Sequence, residues 1–97
     1  MPAYTILDVE WHDQAKAAEY RKVLGPSVEK FGGKTLVANA PVALDGGWSP
    51  SRVAVMEFPS MDALQSWYRS PEHAPALRLR NEGATSRMIA VERATAP

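Results

Sequence analysis

Glu57 is the residue whose surroundings most demand an explanation. It lies between Met56 and Phe58 in RVAVMEF, residues 52–58, two steps from Val55. An ionised carboxylate buried in such a strand is costly unless it is paired or hydrogen-bonded. It reads either as a general base or ligand-orienting acid in a cavity, or as a strand-end glutamate that meets solvent or pairs with an arginine. Arg80 and Arg52 are the candidate partners, because a guanidinium presents a planar fork that grips carboxylates through two bonds. Arg80, after Leu77 and Leu79, either holds Glu57 or an acidic substrate, or is a surface cation. Arg52 opens its strand and reads as a rim residue. His73 has an ordinary pKa near 6.5, suited to proton transfer, with a purely structural role as the alternative; His12, beside Asp13, reads as structural. Trp67 is either core packing or an aromatic wall for a flat ligand. Tyr4 and Tyr20 either turn hydroxyls toward a cavity or pack in the core with those hydroxyls satisfied. The expected set is therefore Glu57 and His73 as catalytic groups, and Tyr4, Arg52, Trp67 and Arg80 as substrate-binding groups.

Composition removes other chemistries. Zero cysteines exclude disulfides, thiolate catalysis and sulfur-based zinc sites. Two histidines, with no carboxylate spacing to support them, argue against a metal site. Gly32-Gly33 and Gly46-Gly47 lack the spacing and the following lysine of a phosphate loop. No cofactor is expected. Eleven basic and eleven acidic residues cancel, so the basic footprint of a nucleic-acid binder is missing. No apolar run approaches the ~20 residues that span a bilayer. A strand pattern begins within three residues of Met1 where a signal peptide would have its charged and apolar regions, so the cytoplasm is the expected location. Ninety-seven residues make one domain, 1–97, and 45% hydrophobic with 23% charged residues is the balance of an ordinary globule.

The elements that must carry these residues follow from periodicity. AYTILDVEW, residues 3–11, alternates as a strand, with Thr5, Leu7, Val9 and Trp11 on one face and Tyr4, Ile6, Asp8 and Glu10 on the other. Its first half is apolar on both faces and is expected to be covered on both. Asp13 is a helix N-cap. Ala17, Tyr20, Leu24, Val28 and Phe31 then form a helical stripe, with a kink or restart expected at Gly25-Pro26 and an end at Gly32-Gly33. Residues 34–38 form a short strand, and a hairpin-like connection through Pro41 and Asp45-Gly46-Gly47 leads to the strand 52–58. On that strand Val53, Val55 and Glu57 share one face; Ala54, Met56 and Phe58 share the other. Ser60 caps a helix running to about Arg69, with Leu64, Trp67 and Tyr68 on its apolar side. Ser70-Pro71 restarts the chain into a short helical or irregular piece that ends near Gly83. A last strand covers 86–92, and the tail from Arg93 adds no structure.

The order is β-α-β-β-α-β, the ferredoxin-like arrangement: an α+β fold with an antiparallel sheet and helices on one face. The face bearing Val53 and Val55 is then left open, and a patch of several hundred Å² marks an interface. Two sheets packed face to face would bury it, which makes a homodimer the expected partner.

The segments themselves are familiar in that order. Tyr4-Thr5-Ile6, Tyr20, Pro26, Phe31-Gly32-Gly33, the run from Asp45 to Arg52, Glu57-Phe58-Pro59-Ser60, Trp67-Tyr68-Arg69-Ser70-Pro71-Glu72 and Arg80 resemble the DUF1330 family, of the dimeric α+β barrel superfamily. The resemblance spans essentially the whole chain, and the E-F-P-S and W-Y-x-S-P-E segments are its specific parts. It implies a homodimer whose sheets face each other. Among relatives it implies cofactor-free monooxygenases, isomerase-like enzymes, haem-degrading proteins and pure ligand binders, between which fold does not choose. The chain departs from the family pattern at His73, where an aromatic is usual, and at Asp45, where glutamate is usual.

Three functions are compatible with these residues. One is an uncharacterised small-molecule-binding protein acting as a cofactor-free enzyme on a small acidic or carbonyl compound, with Glu57 as acid/base, Arg80 as anion clamp, and Trp67 and Tyr4 as walls. The second is a non-catalytic homodimeric ligand binder or stress-related accessory protein. The third is an interaction module with no pocket.

Overall fold

A computed structural model describes residues 1–95, so the last two residues of the domain read over 1–97 lie outside the described residues. Seven elements follow in the order β1 (Ala3–Trp11), α1 (Gln14–Lys30), β2 (Lys34–Asn39), β3 (Arg52–Phe58), α2 (Met61–Tyr68), α3 (Ala74–Gly83) and β4 (Ala84–Glu92). The four strands form one antiparallel sheet ordered β2-β3-β1-β4. It is the expected α+β, ferredoxin-like arrangement, with the second helical segment divided into α2 and α3. No helix among the described residues is long and apolar enough to cross a membrane.

The pleat of β1 and β3 creates two sheet faces. Ala3, Thr5, Leu7 and Val9 of β1 are buried, as are Met56 and Phe58 of β3, and this is the helix side. Phe58 and Trp67 stack with ring centroids 5.0 Å apart, and Val28, Leu64 and Ala3 complete the cluster that joins sheet to helices. Gly33 is required by close approach: a Cβ there would lie 2.6 Å from Phe58 Cε1 and 2.8 Å from Val28 Cγ1.

The other face is open. The strand register aligns Val37, Val55, Ile6 and Ile89 in one apolar row across all four strands. Beside it run Lys34, Glu57, Tyr4 and Val91 on one side, and Asn39, Val53, Asp8 and Arg87 on the other. Ile6 and Tyr4 are only half-buried within one chain, so the first half of β1 is covered on one face and not on both.

Local chemistry accounts for the element ends. The Asp13 carboxylate accepts from the Lys16 backbone N–H at 3.0 Å, and the Ser60 hydroxyl accepts from that of Ala63 at 3.0 Å; these are the two expected N-caps. The restart expected at Gly25-Pro26 does not occur, because α1 runs through it as one element. Glycine before proline has no Cβ to meet the ring, which lessens the clash that normally disfavours helix at that position. The restart expected at Ser70-Pro71 is instead a turn: the Ser70 hydroxyl donates to the Trp67 carbonyl at 2.7 Å and accepts from the His73 backbone N–H at 3.1 Å. The helix begins at Ala74 with Pro75 in its first turn and ends at Gly83, so of the two forms expected for this piece the helical one is found. Tyr68, expected on the apolar side of its helix, is 42% exposed.

Because Phe58 is fully buried beneath the helices, Phe58→Ala should destabilise the fold by about 3–5 kcal/mol. Thermal or urea unfolding measures this, and an unchanged midpoint would show that the Phe58–Trp67 cluster does not hold the layers together.

Candidate functional site

The sheet separates the expected site residues into two groups. Glu57 and Tyr4 are cross-strand neighbours on the open face. There Glu57 pairs with Lys34, Oε1 to Nζ 3.5 Å. Its expected pairing with Arg80 is overturned, because that side chain lies on the helix side and bonds elsewhere. His73, Trp67 and Arg80 are all on that helix side. Glu57 and His73, the two residues of the expected catalytic set, therefore lie on opposite sides of the sheet.

Trp67 is a core residue. It is fully buried, donates its indole N–H to the Ser27 hydroxyl at 3.1 Å, and stacks on Phe58 and on His73. His73 is held by the Ser70 turn with its ring centroid 4.1 Å from that of Trp67 and 5.7 Å from that of Tyr68. It fills, in contact with aromatics, the position where an aromatic is usual in the resembling sequences. The imidazole is fully enclosed, and neither ring nitrogen has a hydrogen-bond partner. Burial first, and the Arg80 charge second, push its pKa down to about 4. At neutral pH it is an uncharged ring.

Arg80 is no surface cation. It is 3% exposed, and its Nη1 donates to the Ser86 hydroxyl of β4 at 3.0 Å. Nε and Nη2 are buried without any partner. These two nitrogens form the side-on edge of the guanidinium, the edge that grips a carboxylate through two bonds. Among the described residues no carboxylate pairs with it. Beside it lies the Tyr20 hydroxyl, also buried and without a partner of acceptable geometry. Burial raises the Tyr20 pKa and the neighbouring Arg80 charge opposes that rise, so the phenol keeps its proton. The Thr5 hydroxyl, on the same side of the sheet, is a further buried group without a partner. The expectation that Tyr20 would have a satisfied hydroxyl is thus corrected.

Tyr20 also borders empty space. A cavity of about 250 Å³ lies between α1 and the sheet. Leu7, Val9, Ala54 and Met56 form its floor; Tyr20, Arg21, Leu24 and Gly25 form its roof; Thr35, Ala38 and Arg52 border it from β2 and β3. The Tyr20 ring also packs on Trp11, centroids 5.1 Å apart. Arg52 is where a rim residue was expected, with Nη2 donating to the Ala38 carbonyl at 3.0 Å. Two arginines and no acid line this space. Arg21 and Tyr20 are the residues that sequence reasoning undervalued. The available signal was position: Arg21 is three residues before Leu24 and four before Gly25, on the same side of the helix. Among the described residues no cluster of histidine and carboxylate side chains could hold a metal ion.

The chain belongs to the family described as a domain of unknown function, DUF1330, whose model matches residues 2–94. No protein of curated function matches it. It is similar to a protein of unknown function from Rhodopseudomonas palustris: 23% identity, 98% of this chain and 84% of that one covered, TM-score 0.77. A dimeric ferredoxin-like protein of unknown function from Jannaschia sp. CCS1 gives 12% identity, 96% and 100% coverage, and TM-score 0.76. A variant of SnoaB, a cofactor-independent oxygenase from Streptomyces nogalater, gives 16% identity, 97% and 95% coverage, and TM-score 0.56. At these identities the likeness is one of fold.

The buried His73 makes stability depend on pH. The unfolded chain binds its proton near pH 6.5 and the folded chain only near 4, so stability is complete above 6.5 and lost as pH falls through this window. The loss should amount to about 3 kcal/mol by pH 4. His73→Phe should remove that slope. Urea unfolding between pH 4 and 7 tests it, and equal slopes in the two proteins would show that His73 is charged in the folded state.

Proposed function

We propose that the chain is a homodimeric small-molecule-binding protein whose ligand, a small compound with an acidic or carbonyl group, enters the cavity beneath α1 without a cofactor. The observation that carries this reading is the cavity itself, with an apolar floor and an arginine-bearing border. Binding sites are mostly apolar concavities with a few placed polar groups, and ~300–1,000 Å³ is their usual size. At about 250 Å³ this one suits a ligand at or below the lower end of that range. Binding is favoured over turnover because His73 is held neutral and Glu57 faces the opposite side of the sheet, ion-paired to Lys34. A second reading, turnover without a cofactor, draws support from Tyr20, a cavity-lining residue whose buried hydroxyl has no partner, and the fold likeness to SnoaB is compatible with it. Glu57 and Tyr4, the other expected site residues, belong in this proposal to the surface covered by the second copy. The cytoplasm remains the proposed location, on the composition alone.

The ligand reading predicts that Ala54→Phe, which fills the cavity from its floor, abolishes binding while leaving the fold intact. Protein-observed NMR with benzaldehyde and benzoate as probes should shift Tyr20 and Ala54 signals in the unmodified protein and not shift Tyr20 in the variant. If neither probe shifts any cavity residue, the reading fails.

The dimer reading rests on the open row Val37–Val55–Ile6–Ile89, flanked by the Lys34–Glu57 and Asp8–Arg87 ion pairs. An apolar centre with a polar rim is the anatomy of an interface. Stable interfaces bury ~1,600 Å² in total. Light scattering should give twice the 10.6 kDa chain mass, and Val55→Asp should dissociate or unfold the dimer by burying an unpaired charge. A 10.6 kDa species at micromolar concentration would refute it.

A further inference from the structure

Resting on the cavity reading above, we infer that the ligand is a small apolar carboxylic acid, its carboxylate held by Arg21 and Arg52 at the outer border of the cavity and its hydrocarbon body laid inward on the sheet. Exposure changes steadily along the cavity lining. Leu7, Val9 and Met56 are buried, Leu24 and Ala54 are half-buried, and Arg21, Thr35 and Arg52 are exposed. Apolar side chains therefore close the inner end, and polar ones stand where the cavity meets water. A molecule that fits has the same gradient: a hydrocarbon end that leaves water and a polar end that keeps it. The volume of about 250 Å³, roughly eight waters' worth of space, limits the hydrocarbon part to one ring or a short chain.

Charge names the polar end. Arg21 and Arg52 are the charged residues of the lining. Among the described residues neither forms an ion pair, while Asp8, Glu19, Glu57, Glu72 and Glu82 are each paired with other cations. A carboxylate gains from both positive charges, and a neutral carbonyl from neither. At an exposed border it also keeps part of its hydration and avoids the cost of an ion taken fully out of water. A guanidinium carries five N–H donors in a planar fork that matches two carboxylate oxygens. Arg52 is fixed at the border by its bond to the Ala38 carbonyl at 3.0 Å, which leaves other donors of the fork to a ligand. The edge strand is shaped to the same end. A register shift in β2 sets Thr35 opposite Met56 and Ala38 opposite Ala54, on the cavity side, and sends Val37 to the open face opposite Val55. Bulges re-aim side chains in this way and are enriched beside binding sites. Here the shift puts the small Ala38 beside Arg52, where unbroken alternation from Thr35 would put Val37.

The test compares benzoate with benzamide and benzaldehyde, alike in shape and different in charge, by NMR titration of the full chain. At low ionic strength benzoate should bind about tenfold more tightly than either neutral probe, and about 0.5 M salt should close most of that gap, because exposed charges are screened. Arg21→Gln and Arg52→Gln should each weaken benzoate severalfold, and together should bring it to the level of benzamide. Arg52→Gln also loses the bond to Ala38, so Arg21→Gln, a change on the exposed side of α1, decides the matter if the other does not fold. Equal binding of the three probes, abolished by Ala54→Phe, would leave the cavity reading standing and overturn the acid. A benzoate preference unchanged in folded Arg21→Gln, or unchanged by salt, would place the charge elsewhere and also overturn it. If none of the probes shifts a cavity residue, the cavity reading itself falls and the acid with it.

Discussion

A positive charge enclosed between helices and sheet sets the terms for everything around it. Taking an ion of that kind out of water costs several kcal/mol even after relaxation, in molecules whose whole stability is ~5–15 kcal/mol. Arg80 recovers part of this through the Ser86 hydroxyl, a bond that also ties α3 to β4. The rest falls on its neighbours. A second cation beside it would be repelled, and the Arg80 charge adds to burial in holding His73 unprotonated. The same charge opposes the rise in the Tyr20 pKa without overcoming it. The result is a group of polar side chains, each buried and each short of a partner, assembled from α1, the α2–α3 turn and α3 around one guanidinium.

The sheet keeps this group apart from the open face, the one proposed above to meet a second copy. Alternation along β1 sends Thr5, Leu7 and Val9 toward the helices and Tyr4, Ile6 and Asp8 away from them. Both ion pairs at this surface, Lys34–Glu57 and Asp8–Arg87, lie on the open face. The buried polar group lies on the other. The proposed assembly and the proposed ligand capture therefore fall on separate faces, one carrying residues 53 and 55, the other residues 20 and 54. The contact between them is the backbone of β1 and β3 itself, which contributes alternate residues to each face.

Most of the fold was legible because it is written in local periods and local caps. The strand 52–58 and the division of its faces follow from alternation alone, and Asp13 and Ser60 cap as their types require. Two of the misreadings came from prolines. Pro26 was expected to interrupt α1, but the helix continues through it, and the preceding glycine has no Cβ to meet the ring. Pro71 was expected to begin a helix, but the Ser70 hydroxyl closes a turn first, and Pro75 takes that role. Each outcome depends on the neighbour of the proline, which a rule for proline alone does not contain.

The candidate site was less legible, and Glu57 and Arg80 show why. A carboxylate in an apolar strand is conspicuous because alternation fixes the face on which it sits. That face is the open one, as alternation predicted; what the sequence did not show is that a lysine on the adjacent strand is near enough to pair with it. An arginine in a segment of weak helical pattern carries no such signal: Arg78 and Arg80 have similar settings in the sequence, yet only the second is buried. What distinguishes them is the rotation of α3, set by Pro75 and by packing against α1, and rotation is a tertiary quantity. Charge burial is therefore easiest to suspect where the backbone period is shortest, in strands. It is easiest to miss in short helices, where a residue's side is decided by contacts with elements far away in the chain. Arg80 is such a residue, and the donors that face it from α1 and the α2–α3 turn lie 60 and seven residues earlier in the sequence.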